Sequence, residues 1–200
     1  MWTAIGYLSG SCMFSAWLVK LFKCQKIKEI DDGNPGASNA FRAGGAWLGV
    51  PAILLDSLKG AVPVSLAFFI FGVDGWWLVP VALAPVLGHA FSVFYGFRGG
   101  KAAAVSFGVW TGLTLWEGPT FLGAAMLLTM PFLKINLWSV IIAFVLFGGY
   151  VIPKSILTSQ YYLLAIWAGN FIIILIKYIP QLKTPILPRP WMARLLGKNV

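Results

Sequence analysis

Charge is what this 200-residue sequence has least of: 10% of its residues are charged and only 6 are acidic, while 59% are hydrophobic. Ordinary soluble domains run near about 25% charged and about 45–50% apolar, so composition excludes a cytosolic enzyme and a DNA-binding module. Cysteine is almost missing. The two present, Cys12 and Cys24, would sit about 18 Å apart on one unbroken helix at about 1.5 Å per residue, beyond disulfide reach, so no disulfide scaffold follows. Histidine occurs once, as His89. No His, Cys, Asp and Glu cluster has metal-ligand spacing, and no Gly-x-Ser-x-Gly, Cys-His or Walker pattern is present. Neither a metal nor a covalent nucleophile is indicated.

What the sequence does have is long apolar runs. The first, over residues 2–22, has no basic residue before it and is closed by Lys20, Lys23 and Lys26. That is the reverse of a cleavable signal peptide, and it places the N-terminus outside. Further runs cover 46–71, 76–94, 102–152 and 159–176, the third being divided by Trp116-Glu117-Gly118-Pro119 and by Lys134-Ile135-Asn136. At roughly 20 residues per span, the pattern predicts an all-α polytopic integral membrane protein of about seven transmembrane helices, some of them short. If the three middle pieces act as one span and a surface helix pair, about five spans fit equally.

With the N-terminus outside and the C-terminus cytoplasmic, every lysine and arginine except Lys59 and Lys154 falls on the cytoplasmic side, as the positive-inside rule requires. The whole chain, 1–200, reads as a single membrane domain. It has cytoplasmic loops over 23–45 and 97–101 and a Pro-rich basic tail over 177–200, where Pro180, Pro185, Pro188 and Pro190 disfavour helix. The formal charge of +9 is explained by topology and by an anionic membrane lipid surface, and nucleic acid is not an expected partner.

Three polar clusters adjoin the cytoplasmic loops, where polar groups are informative because the bilayer makes them costly. The first runs from Asp31 to Gly45. Gly33 and Gly36 allow backbone amides to converge on an anion, Asn34, Ser38 and Asn39 add donors, and Arg42 offers a fork suited to phosphate. The same composition also suits an ordinary turn, the reading that Asp31 and Asp32 favour. The second cluster is Asp56 and Lys59, which share one face of a helix. They read either as a fold-organising ion pair or as side chains that orient the site. In the third, His89 ends a span and Arg98-Gly99-Gly100-Lys101 opens the next helix, whose N-terminal amides favour an anion. His89 fits a capping role or a catalytic one, and Arg98 and Lys101 fit an anion site or lipid headgroups. Together the clusters suggest a phosphorylated substrate met at the lipid boundary, with chemistry resting on positioning and charge stabilisation.

In this order and spacing the clusters resemble PlsY, the bacterial acyl-phosphate:glycerol-3-phosphate acyltransferase family, across nearly the whole chain. Residues 8–16 are similar to that family's opening Gly-Ser and Ser-Ala pattern, and residues 33–42 to its Gly-Asn-Pro-Gly-Ala-Thr-Asn-x-x-Arg signature. Residues 56–60 are similar to its Asp-x-x-Lys-Gly, and residues 88–101 to its Gly-His and Gly-Gly-Lys segment. The resemblance implies a seven-helix enzyme of the bacterial inner membrane, using no cofactor. It would move a fatty acyl group from acyl phosphate to the sn-1 hydroxyl of glycerol 3-phosphate, giving lysophosphatidate for phospholipid synthesis, with the active site facing the cytoplasm.

By position, the resemblance makes Arg42, Lys101 and His89 the catalytic candidates. Gly33, Asn34, Gly36, Ser38, Asn39, Gly99, Gly100 and Gln181 become substrate-binding candidates, with Asp56 and Lys59 behind them. The sequence also departs from the pattern. The signature serine is Asp32, a carboxylate that would repel phosphate unless paired with Arg42, Lys101 or another base. The family's His-x-x-Asn at the end of the last helix is replaced by Tyr178 and Gln181, and Ser92, Arg98 and Ala102 stand for Pro, Lys and Gly. The leading expectation is an active acyltransferase. The alternative is a catalytically inactive PlsY-like protein serving as a structural subunit among membrane-protein partners in a larger complex. Transport has little support, because the polarity lies at the cytoplasmic edge and not at the midplane.

Overall fold

The computed structural model describes residues 1–23, 25–133 and 136–195; Cys24, Lys134 and the last residues, including Lys198, lie outside the described part. Among the described residues the chain forms α1 (Trp2–Ser11), α2 (Phe14–Lys23), α3 (Ala37–Ser65), α4 (Leu78–Ala90), α5 (Ala103–Thr114), α6 (Glu117–Thr129), α7 (Asn136–Leu157), α8 (Tyr162–Tyr178) and α9 (Pro190–Leu195). The extended backbone pairing among them is one isolated bridge, between Leu133 and Pro188. Five stretches of the described residues are long and apolar enough to cross a membrane: Trp2–Lys23, Ala37–Ile70, Gly75–Tyr95, Leu137–Leu157 and Tyr162–Gln181. The helices α5 and α6, of 12 and 13 residues, are shorter. Leu54, Leu58, Ile70, Leu127, Leu146 and Ile156 are all at least half exposed, an apolar surface suited to lipid. Exposed Trp76, Trp77 and Trp116 sit at helix junctions, as an interfacial aromatic belt does. The all-α integral membrane architecture read from the sequence is the one observed.

Three local expectations are corrected. The first apolar run is not one helix: it breaks between α1 and α2 at Cys12 and Met13. The break frees carbonyls that distant side chains then occupy, Lys59 Nζ donating to Cys12 O at 2.5 Å and Ser92 Oγ to Ser11 O at 2.5 Å. The loop expected over 23–45 ends at Gly36, because α3 begins at Ala37. Gly44 and Gly45, which read as loop, instead kink that helix, Gly45 taking φ +62° that a side chain would resist. The tail is not free of helix either. Pro190 is the first residue of α9, where a missing N–H leaves no bond unmade.

Close helix approach brings the polar segments together. A Cβ at Gly108 of α5 would lie 1.8 Å from Ser57 O of α3, and one at Gly60 of α3 2.6 Å from Val105 O. The α1–α4 pair meets in the same way, since a Cβ at Gly88 would lie 2.1 Å from Tyr7 O. Small residues supply this approach where lipid offers no hydrophobic drive between helices. Asn170 Nδ2 of α8 donates to Ser106 Oγ of α5 at 2.7 Å, a buried polar tie. As a result, the segment before α3, the turn after α4 and the segment after α8 gather at one end of the bundle. At the α5–α6 turn Glu117 pairs with Lys154 of α7 and accepts from Tyr150 Oη at 2.8 Å.

Candidate active site

Asn39 organises the first cluster. It is fully buried, and its Nδ2 donates to Ile30 O at 2.9 Å, Asp32 Oδ1 at 3.0 Å and Asn34 O at 3.0 Å. Its Oδ1 accepts from Arg42 Nη1 at 3.0 Å. One amide therefore fastens the loop to the first turn of α3 and aims the guanidinium, so Asn39 positions the site's other groups. Gly33 takes φ +68° in this loop, and Gly36 caps α3. Ser38, the second residue of the helix, lines two adjoining cavities together with Asn34. The positive end of the α3 dipole thus opens at their junction.

The second cluster is a buried support. Lys59 Nζ lies 2.7 Å from Asp56 Oδ1, both side chains being 1% exposed. Ser15 Oγ of α2 donates to Asp56 Oδ2 at 2.7 Å, and Ser9 Oγ of α1 to Lys59 O at 2.8 Å. With the Lys59 bond to Cys12 O, the pair clamps the α1–α2 break onto α3. Of the two readings open from the sequence, the contacts support the fold-organising one.

In the third cluster the amides of Gly99 and Gly100 donate to Ala90 O at 3.2 Å and His89 O at 3.0 Å. They close the C-terminus of α4 and do not face an anion, which corrects that expectation. The fit is tight: a Cβ at Gly100 would fall 2.3 Å from His89 Nε2, and one at Gly99 1.8 Å from His89 O. His89 is 3% exposed and forms part of the wall of the second cavity. The turn delivers Lys101 just before α5, Ala102 taking φ +63° where glycine would be unstrained. Lys101 Nζ then reaches Asp32 Oδ2 at 2.7 Å and Gln181 Oε1 at 3.1 Å, and lies 5.1 Å from the centre of the Tyr178 ring.

These contacts assemble Arg42, Lys101, Asn34, Ser38 and Gln181 around a polar cavity of about 700 Å³. The sequence missed some of its lining: Asp31, which pairs with Arg42 at 3.2 Å, Thr184 and Arg189. An Asp31-Asp32 pair inside a basic glycine loop was the available signal for the first. Tyr178, noted only as a departure from a pattern, is buried and lines both cavities. The second cavity, about 410 Å³, shares Lys101, Asn34, Ser38 and Tyr178 with the first but runs between Ile53, Phe107, Met126, Met130 and Val140. Its apolar residues, on α3, α5, α6, α7 and the end of α6, carry no motif and were illegible.

Electrostatically, both acidic side chains of the polar cavity are paired with a cation before any ligand arrives. Burial works against ionisation of Asp32, but the Lys101 ammonium and the amides of Asn34 and Asn39 together outweigh it and hold the carboxyl below its ordinary value. Such a group contributes stability above its unfolded value near about 3.9 and loses it only as pH falls through the lower folded value. The Asp32 carboxylate therefore stays ionised throughout the neutral range.

A family model described as glycerol-3-phosphate acyltransferase matches residues 1–185. The chain is 47% identical over 122 residues to glycerol-3-phosphate acyltransferase 1 of Thermotoga maritima, a stretch covering 59% of this chain and 59% of that protein. It is 40% identical over 126 residues to the glycerol-3-phosphate acyltransferase of Aquifex aeolicus, covering 56% of this chain and 65% of that one. The chain thus spans less than two thirds of the length of these relatives. Crystal structures of PlsY, an integral membrane glycerol 3-phosphate acyltransferase, superpose at TM-scores of 0.82 for its glycerol 3-phosphate form and 0.80 for its lysophosphatidic acid form. Each is 27% identical, with 100% of this chain and 92% of that chain covered.

Proposed function

We propose that this chain, which belongs to the glycerol-3-phosphate acyltransferase family, transfers a fatty acyl group from acyl phosphate to the sn-1 hydroxyl of glycerol 3-phosphate. The products are lysophosphatidate and inorganic phosphate, and the site faces the cytoplasm from a bacterial inner membrane. The observation that carries this reading is the junction of a polar and an apolar cavity at Lys101, Ser38 and the start of α3. An acyl phosphate has that same division. Its chain fits between Phe107, Met126 and Met130, and its phosphate lies against Lys101 and the helix N-terminus. Glycerol 3-phosphate then occupies the polar cavity, its own phosphate toward Arg42.

The reaction needs no protein nucleophile. The acceptor oxygen adds to the acyl carbon, the bond from that carbon to the phosphate oxygen breaks, and the hydroxyl proton ends on the departing phosphate. Lys101 neutralises charge gathering on that phosphate. His89 acts as a positioning residue, packing beneath the Gly99–Gly100 turn that sets Lys101. The replacements at Asp32, Tyr178 and Gln181 leave a built cavity with its cations in place, which favours catalysis over a purely structural subunit. In purified protein returned to lipid, long-chain acyl phosphate and glycerol 3-phosphate should give lysophosphatidate and inorganic phosphate in equal amounts. Absence of acylated product from folded protein overturns the proposal.

Asp32 supplies a second test. The phosphate of an acyl phosphate must displace this carboxylate from Lys101, so Asp32→Ser is expected to lower KM for acyl phosphate about tenfold, with kcat changed by less than about threefold. A KM that stays level or rises contradicts displacement.

A further inference from the structure

The polar cavity contains a cation that lies outside the part of the chain matched by the family model, which ends at residue 185. The tail after α8 folds back over the α6–α7 turn and is fastened there at several points. Trp138 Nε1 donates to Thr184 O at 3.0 Å, Pro188 bridges Leu133, and the Arg189 amide donates to Phe132 O at 2.8 Å. Beyond it, Trp191 Nε1 donates to Pro131 O at 3.1 Å, and its ring lies 5.6 Å from that of Phe132. These ties fix Arg189 at the wall of the cavity, where its Nε donates to Leu133 O at 3.3 Å. Its terminal guanidinium nitrogens meet no acceptor among the described residues.

We propose that Arg189 is an acceptor-binding residue, holding the phosphate of glycerol 3-phosphate in concert with Arg42. This rests on the reaction proposed above. Among the described residues, five charged side chains line the cavity: Arg42, Lys101 and Arg189 against Asp31 and Asp32. Asp31 sits on Arg42 and Asp32 on Lys101, so without Arg189 the described lining would carry no net charge and give a phosphate dianion little reason to enter. The reaction also brings two phosphates to one site. Lys101 borders both cavities, whereas Arg42 and Arg189 border only the polar one, on the side away from the acyl chain. That division gives the donor phosphate to Lys101 and the acceptor phosphate to the two arginines, whose planar forks suit it.

The test is a split between the two Michaelis constants. Arg189→Ala should raise KM for glycerol 3-phosphate about 10- to 100-fold, leaving KM for acyl phosphate and kcat within about threefold. Arg189→Lys should recover part of the loss, and Trp191→Ala, which loosens the tail, should raise the same constant more mildly. An unchanged acceptor KM in Arg189→Ala, or equal rises in both constants, overturns the assignment. Calorimetric titration with glycerol 3-phosphate separates this proposal from the reaction itself. If the wild type binds but does not turn over, the assignment stands or falls on whether Arg189→Ala weakens binding; a wild type that neither binds nor turns over removes both.

Discussion

Lys101→Ala is expected to lower kcat by about 10²- to 10³-fold in protein that remains folded, the loss seen when a preorganised charge opposite a developing anion is removed. The geometry places that loss in kcat. Lys101 is the described cation shared by the two cavities, held by Asp32 and Gln181 over the Tyr178 ring, which in the proposed reaction puts it beside the acyl–phosphate bond that breaks. Arg42→Ala should lose a similar factor in kcat/KM, mostly through KM for glycerol 3-phosphate, because Arg42 borders only the polar cavity. Steady-state kinetics on both variants, with thermal unfolding as the check on fold, decide the matter. Near-wild-type turnover in Lys101→Ala would remove it from the chemistry.

The second large effect is on stability. Asp56→Ala or Lys59→Ala alone leaves a buried charge without its partner and should destabilise the protein by about 3–5 kcal/mol. It also strips the clamp from Cys12 O or from Ser15 Oγ. The double variant Asp56→Leu/Lys59→Met leaves no uncompensated charge. It should unfold closer to the wild type than either single variant does. Thermal unfolding in one detergent compares all three, and a double variant losing the sum of the single effects would show that the two residues act independently.

How much of this was legible varies with how local the physics is. The α-helical membrane class followed from apolar run length, and the pairing of Asp56 with Lys59 from their spacing on a helix. Arg42 and Lys101 could be nominated from residue type beside glycine. The roles of neighbouring groups could not, because they depend on which acceptor lies across the fold. Gly99 and Gly100 read as an anion turn, yet their amides close α4. Asp32 read as an intruder beside phosphate, yet Lys101 meets it from 69 residues away. The break at Cys12 directly follows Ser9-Gly10-Ser11, a weak helix former that did not by itself mark a break; Lys59, far along the chain, stabilises it. The apolar cavity is built from side chains that any lipid-embedded helix would carry, so only packing distinguishes Phe107 or Met126 from lipid-facing neighbours.

The most direct test of the account is a donor comparison. Purified protein in lipid, supplied with glycerol 3-phosphate, is given either a long-chain acyl phosphate or the matching acyl-CoA, and lysophosphatidate is quantified. The account predicts product from acyl phosphate and none above background from acyl-CoA, because the junction at Lys101 receives a compact phosphate joined to the acyl chain. Product from acyl-CoA alone, or from neither donor while a relative of the same family turns over beside it, would contradict it.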